Sequence, residues 1–235
     1  FPAGENVEKW HALPPGHDPA TGKQVKSSSA NPNYTAVFGK GLAELAAMEP
    51  KLVAITAAMP SGTGTGVMAK AFPDRFFDVG IAEGHAVTFA AGLATRGIKP
   101  VCAIYSTFLQ RAYDNVIHDA AIQGLPVVFA MDRAGLVGED GPTHMGLYDI
   151  AYMLAVPGMT VTAPKNGAEM LGLLRTSMAH KDGPFCLRYP RDVAPDVVGP
   201  ISTIAPVPYG TWEVLRHGSE FAILAVGTMV GQSLA

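Results

Sequence analysis

Four short runs constrain this chain most: KLVAITAA (51–58), KPVCAIYS (99–106), LPVVFAMD (125–132) and PFCLRYP (184–190). Each is nearly continuous in apolar residues and does not alternate with polar ones. A strand with one wet face alternates. A strand buried on both faces does not, and such strands belong to parallel sheets covered by helices. The segments between them carry apolar groups at helical spacing: 33–48, 82–97, 108–124 and 166–180, with shorter helices after 66 and over LYDIAYMLA (147–155). Gly97 is placed to stop the second of these. RFFDVG (75–80) and MTVTAP (159–164) read as two further short strands. The expected fold class is therefore α/β, a three-layer, mostly parallel sheet with helices on both faces.

The flanks differ. Residues 1–32 are rich in Pro, Gly, Ser and Lys without sustained period, and read as an extended connector. Residues 192–208 read as a linker, and YGTWEVLRHGSEFAILAVGT (209–228) as the first strands of a second, incomplete α/β domain over 209–235. The chain starts at Phe1 and stops just after a strand-like run, so both ends read as cuts in a longer protein. Of its 235 residues 48% are hydrophobic and 16% charged, which is too apolar for a disordered chain. The net charge of −3, without a basic run, argues against a nucleic-acid or membrane-surface partner. Cys102 and Cys186 sit in strand-like contexts and form no CxxC pair, so buried thiols in a reducing cytoplasm are expected.

In open parallel sheets, ligands bind beyond the carboxyl ends of the strands. Four segments meet that condition: the loop after KLVAITA, the turn holding Glu83, the turn at IYSTF and the loop after VVFAMD. Glu83, in DVGIAEGHAVTFAAGLA (78–94), is either an acid favoured by the helix dipole or a carboxylate held on an apolar wall to exchange a proton with a heterocycle. IYSTFLQRAYD (104–114) places Tyr105, Phe108 and Arg111 near the edge, with Ser106 or Thr107 available as a helix cap. RAGLVGEDGPTHMG (133–146) gathers Arg133, Glu139, Asp140, Thr143 and His144 in one Gly-rich loop. RYPRD (188–192) adds two arginines, which suit bidentate oxyanion contact or pair with Asp182 or Asp192 on the surface. SGTGTG (61–66) lacks a phosphate-loop ending and reads as a close backbone approach to a ligand. No metal-ligand spacing and no GxSxG elbow is present.

Several of these segments together resemble the 1-deoxy-D-xylulose-5-phosphate synthase family of the transketolase group. They are FDVGIAEGHAVTFAAGLA, YSTFLQRAYD, DRAGLVG-x-DG-x-TH, DGPFCLRYPR and the connector HALPPGHDPATGK. The resemblance runs from about Trp10 to Thr228 and implies that residues 33–191 form a thiamine-diphosphate pyrimidine-binding domain. It implies that Glu83 hydrogen-bonds the aminopyrimidine, with Phe108, Arg111 and Met59 beside that ring. Tyr105, Ser106, Arg133 and Arg191 would hold the phosphate of glyceraldehyde 3-phosphate. Asp140, His144 and His11 would stand near the reacting centre. The implied reaction joins pyruvate to glyceraldehyde 3-phosphate with loss of CO2.

The resemblance further implies a homodimer, located in the cytoplasm, or in a plastid for a plant or alga. It puts Mg2+ in a diphosphate-binding domain that precedes Phe1. The chain departs from the family at Gly84, where Gln is usual, and at Asp192, where Gly is usual. Gly84 removes an amide beside Glu83; Asp192 offers a charge that could neutralise Arg191. Two other readings are a natural subunit of a split transketolase-like enzyme and a degenerate binding module.

Overall fold

The computed structural model describes residues 20–21 and 31–235, and the fold and the site lie in the unit Asn31–Ala235. Six strands form one sheet: β1 (Leu52–Thr56), β2 (Phe76–Asp78), β3 (Lys99–Tyr105), β4 (Val128–Asp132), β5 (Thr160–Thr162) and β6 (Phe185–Arg188). Every pairing is parallel, in the order β2-β1-β3-β4-β6-β5. Five principal helices accompany it: α1 (Tyr34–Met48), α2 (Gly66–Ala71), α3 (Glu83–Ala94), α4 (Asp149–Leu154) and α5 (Gly167–Ala179).

The period of two along a strand divides the core between the two faces. Ala54, Val101, Ala103, Val128, Ala130, Phe185 and Leu187 point to one side, onto Phe38 and Leu42 of α1 and Leu174 of α5. Their neighbours Ile55, Cys102, Ile104, Phe129, Met131 and Cys186 point to the other, onto Val87 and Ala90 of α3 and Met153 of α4. Both faces are dry, which is why these strands read as unbroken apolar runs. Burial pushes the Cys102 thiol up to about 12 and raises Cys186 as well, so both stay protonated and unreactive.

Side chains cap α1 and α5. Asn33 accepts from Ala36 N at 2.8 Å and Asn166 accepts from Glu169 N at 2.9 Å, each meeting one orphan donor of the first turn. Gly97 closes the turn after α3 at a φ of 73°, a left-handed conformation that costs glycine little.

Three expectations fail locally. FLQRAYDNVIHDAAIQG does not form one helix. Residues 106–121 run through an α turn (Ser106–Leu109), a 3₁₀ turn (Gln110–Ala112), an α turn (Tyr113–Asn115) and a π segment (Val116–Ala121). Neither Ser106 nor Thr107 caps this broken helix by a side-chain hydrogen bond. It starts at Ser106, and the Thr107 hydroxyl instead donates to Thr143 O at 3.3 Å. Residues 209–228 carry no strand. All but Ala225 and Gly227 are exposed, and a short helix, α6 (Met229–Leu234), comes after them. A strand needs a neighbour to complete its ladder, and among the described residues this segment has none.

The segment read as a linker is strapped to the domain. Asp196 accepts from Gly167 N and Ala168 N, Glu44 accepts from Ile201 N, and buried Ile201 packs against the α1 core.

The topology locates the crevice. From β1 the chain crosses to the edge strand β2, whereas from β3 it crosses the opposite way to β4. Loops leaving β1 and β3 therefore part, and a ligand can enter between them. Among the described residues, the two non-glycine residues with left-handed backbone lie at this same edge: Ala58 after β1 (φ 61°) and Arg133 after β4 (φ 60°). Such conformations persist only where the surroundings enforce them, and they concentrate at functional sites.

Candidate functional site

Glu83 is the first residue of α3, and Ala82 before it provides no side-chain cap. The carboxylate is buried, with only 4% of the side chain exposed, and it pairs with Arg111 (Nη1 to Oε1, 2.8 Å). Among the described residues, no hydrogen bond reaches Oε2. The acid is thus more than a solvated helix-dipole charge. It is packed beneath a cation whose own side chain is 56% exposed.

From Arg111 a path of contacts crosses the sheet edge. The Arg111 guanidinium lies 4.9 Å from the Phe108 ring centre. Phe108 stacks on Tyr105 at 5.7 Å. The Arg133 guanidinium covers the opposite end of the path, 4.0 Å from the Tyr105 ring. Arg133 Nε then meets Asp140 Oδ2 at 3.3 Å, and Arg191 Nη1 meets Asp140 Oδ1 at 2.8 Å. Seven side chains from four loops form one continuous strip: carboxylate, guanidinium, two rings, guanidinium, carboxylate, guanidinium. His144 joins it edge-on, 5.2 Å from Phe108 and 6.2 Å from Tyr105, with its Nδ1 2.9 Å from the Thr143 hydroxyl.

Arg133 is held from below. Buried Asp132 pairs with its Nη1 at 3.1 Å and accepts from its backbone N at 2.7 Å, while Thr35 donates to the other Asp132 oxygen at 2.6 Å. Burial holds the Asp132 carboxyl above the ordinary carboxylate range; the Arg133 charge and the hydrogen bonds oppose that. Arg133 Nη1 also donates to Gly62 O at 2.7 Å. Burial pushes the Tyr105 hydroxyl up to about 12 even against the nearby Arg133 charge, so it is neutral.

Several sequence expectations take a different form. The glycines of SGTGTG approach the protein itself. A Cβ on Gly62 would fall 2.2 Å from the Tyr105 hydroxyl oxygen, and one on Gly64 would fall 2.5 Å from Thr35 O. Ser106 is buried, and its hydroxyl has no hydrogen-bond partner among the described residues. It lies against Gly146, whose added Cβ would meet both the Ser106 hydroxyl oxygen (2.6 Å) and the Arg133 carbonyl oxygen (2.3 Å). Arg188 Nε meets buried Asp149 at 2.9 Å, and Arg191 takes Asp140. The Asp192 carboxylate accepts from Val193 N at 2.7 Å. Met59 is half-buried in the loop after β1. His11 lies outside the described residues.

Sequence reasoning missed Asp132, Thr35 and Asn115. Asp132 ends an apolar strand and has its partner 97 residues away, so no local pattern marks it.

Comparison with known proteins bears on the family and the fold. Residues 30–196 match the family model described as transketolase, pyrimidine binding domain. The chain is 54% identical, over its whole length, to a 1-deoxy-D-xylulose-5-phosphate synthase of Chlorobium phaeovibrioides, and 55% identical over 99% of its length to one of Aquifex aeolicus. It spans 37% and 36% of those relatives. Among solved structures it resembles a split-gene transketolase, an inactive beta4 tetramer, with a TM-score of 0.76 and 31% identity over 87% of this chain and 66% of that one. The transketolase of Leishmania mexicana shares the fold, with a TM-score of 0.63 at 24% identity over 76% of this chain and 28% of that one. On the fold, the carboxylate turn and these matches, the chain belongs to the transketolase pyrimidine-binding-domain family.

Proposed function

We propose that this chain supplies the pyrimidine-binding half of a thiamine-diphosphate enzyme. That enzyme condenses pyruvate with glyceraldehyde 3-phosphate, releases CO2 and forms 1-deoxy-D-xylulose 5-phosphate, an isoprenoid precursor. The strip from Glu83 to Arg191 carries the reading. It offers a buried acid with one free oxygen at one end and paired guanidinium groups at the other. The curated relatives' names support the choice of reaction.

The residues fit an aminopyrimidine. Glu83 Oε2 is available to a ring nitrogen, and Phe108 offers a half-exposed aromatic face beside it. Bound cofactor supplies the electron sink that loss of CO2 from pyruvate requires. Glu83 holds a proton at the ring nitrogen and so favours the tautomer that can act as a base. Arg111 neutralises Glu83 and closes the ring's edge. At the far end Arg133 and Arg191 bind the phosphate, which takes a place that Asp140 holds on Arg191. Fixing a dianion far from the reacting carbon converts binding energy into orientation. His144, edge-on to Phe108, is the proposed hydrogen-bond partner of the aldehyde oxygen.

The reading carries with it Mg2+ held by a separate diphosphate-binding domain, together with His11 of the connector at the reacting centre. It also carries a homodimer in the cytoplasm, or in the plastid of a plant or alga. The test is a product assay on the full-length protein. Labelled pyruvate should yield CO2 and a deoxy-ketose phosphate only when glyceraldehyde 3-phosphate, thiamine diphosphate and Mg2+ are all present. A second reading, a subunit of a split transketolase-like enzyme, is favoured by the likeness to the split-gene transketolase. It predicts ketol transfer between sugar phosphates without CO2, and only after a partner chain is added.

A further inference from the structure

The side chain missing at position 84 leaves a gap that the structure fills from another element. A Cβ on Gly84 would meet Asn115 Oδ1 at 2.9 Å and Asn115 Cγ at 3.6 Å. The Asn115 amide therefore rests on the first turn of α3, in the volume a residue-84 side chain would enter. Its other end is fixed. Nδ2 donates to Thr88 Oγ1 at 3.1 Å and to Asp119 Oδ2 at 3.1 Å, and Thr88 donates to the same Asp119 oxygen.

The spacing makes this a second rung beside the Glu83–Arg111 pair. Gly84 and Thr88 are one turn apart on α3, and Arg111 and Asn115 are four residues apart on the broken helix. Arg111 reaches Glu83 on one rung; Asn115 reaches Gly84 and Thr88 on the next. The broken helix changes to its π segment at Val116, immediately after Asn115, so the contact lies where the register of that helix shifts. Such π segments are frequent at functional sites. No side-chain cap holds the start of α3, which leaves this rung as a fastening of its first turn.

We propose that Asn115 is a positioning residue for Glu83. Its amide stands in for the absent side chain at position 84 and sets the first turn of α3 against the helix that bears Arg111. The proposal rests on the reading of Glu83 as the acid that holds the aminopyrimidine. A misplacement of about 1 Å at such a group can cost about 100-fold in rate. Asn115→Ala empties the volume beside Gly84, and Gly84→Ala forces a methyl against Asn115 Oδ1. Each moves the turn, in opposite senses. Combined, the two changes exchange one filled volume for another.

The experiment uses the full-length holoenzyme. Asn115→Ala and Gly84→Ala should each lower kcat about 10- to 100-fold with KM for pyruvate changed less than about 3-fold. The double variant should recover most of the loss. Hydrogen exchange on the unliganded protein provides a readout apart from turnover. The peptide covering residues 83–94 should exchange faster in Asn115→Ala than in wild type or the double variant, with distant peptides unchanged. If Asn115→Ala does not fold, Gly84→Ala and its rescue make the same test. Losses in kcat that multiply in the double variant, or wild-type kcat in both single variants, overturn the proposal. Glu83→Gln in the same assay separates the two ideas. Full activity there defeats the reading of Glu83 itself; loss there with full activity in Asn115→Ala and Gly84→Ala defeats only the role of Asn115.

Discussion

Gly62→Ala should disturb the strip without touching any charged group in it. The added Cβ would lie 2.2 Å from the Tyr105 hydroxyl oxygen and 3.1 Å from Tyr105 Cζ. The first distance is impossible for real atoms, so something must move. Tyr105 has little freedom: it is buried between Phe108 and the Arg133 guanidinium. The Gly62 carbonyl is itself tied to Arg133 at 2.7 Å. Overpacking of this kind costs about 1–3 kcal/mol. For a chain of this size each kcal/mol lowers the melting midpoint by roughly 2–4 °C.

The clash is mostly with one oxygen, and that makes the reasoning testable. Tyr105→Phe removes that oxygen and leaves a tight but tolerable contact to the ring. The double variant should therefore be about 1 kcal/mol or more stabler than the sum of the two single changes. Urea unfolding of the four proteins measures this directly. Additive effects, or a Gly62→Ala chain as stable as wild type, would refute the geometry of the Gly62–Tyr105 contact.

Arg191→Ala should raise KM for glyceraldehyde 3-phosphate about 10-fold or more and leave KM for pyruvate nearly unchanged, since a lost charge-assisted contact is worth about 1.5–3 kcal/mol; steady-state kinetics with each substrate varied checks it. Glu49 should show an acid-dependent contribution to stability. The Lys99 ammonium, 2.6 Å away, holds its carboxyl below the usual range, so its stabilisation is present above the unfolded value of about 4.3 and lost as pH falls through the folded value. Glu49→Gln should therefore lose about 0.2–1 kcal/mol at neutral pH and converge on wild type once the pH has fallen below the folded value, as read by urea unfolding across a descending pH series.

The strands were legible because burial on both faces leaves a one-dimensional mark. KPVCAIYS needs no knowledge of its neighbours to be recognised, and it appears as β3 within a residue or two. The helix after Asn166 was legible from its apolar spacing. The broken helix was not. FLQRAYDNVIHDAAIQG has good helical spacing throughout, and nothing local predicts a 3₁₀ turn at Gln110 or a π segment at Val116. The Phe108–Arg111–Glu83 contacts and the Asn115 hydrogen bonds lie at those breaks, and all are made to residues distant in sequence or to other elements. In the site, residue types were legible and pairings were not. Arg191 looked like a partner for Asp192 next door, yet it reaches Asp140, which a loop carries back across the sheet edge. Asp132 left no mark at all, because a strand-end acid acquires meaning only when Thr35 and Arg133 close around it.

The proposed chemistry depends most on Glu83, a carboxylate buried under Arg111 with one oxygen left for a ring nitrogen. The direct measurement is CO2 release from pyruvate by the full-length protein with thiamine diphosphate and Mg2+, comparing wild type with Glu83→Gln. Gln keeps the shape and cannot hold the proton. The rate should fall about 100- to 10,000-fold, the usual contribution of a positioned acid, while the melting midpoint stays within a few degrees. Release at the wild-type rate from a folded Glu83→Gln protein would contradict the role assigned to this carboxylate.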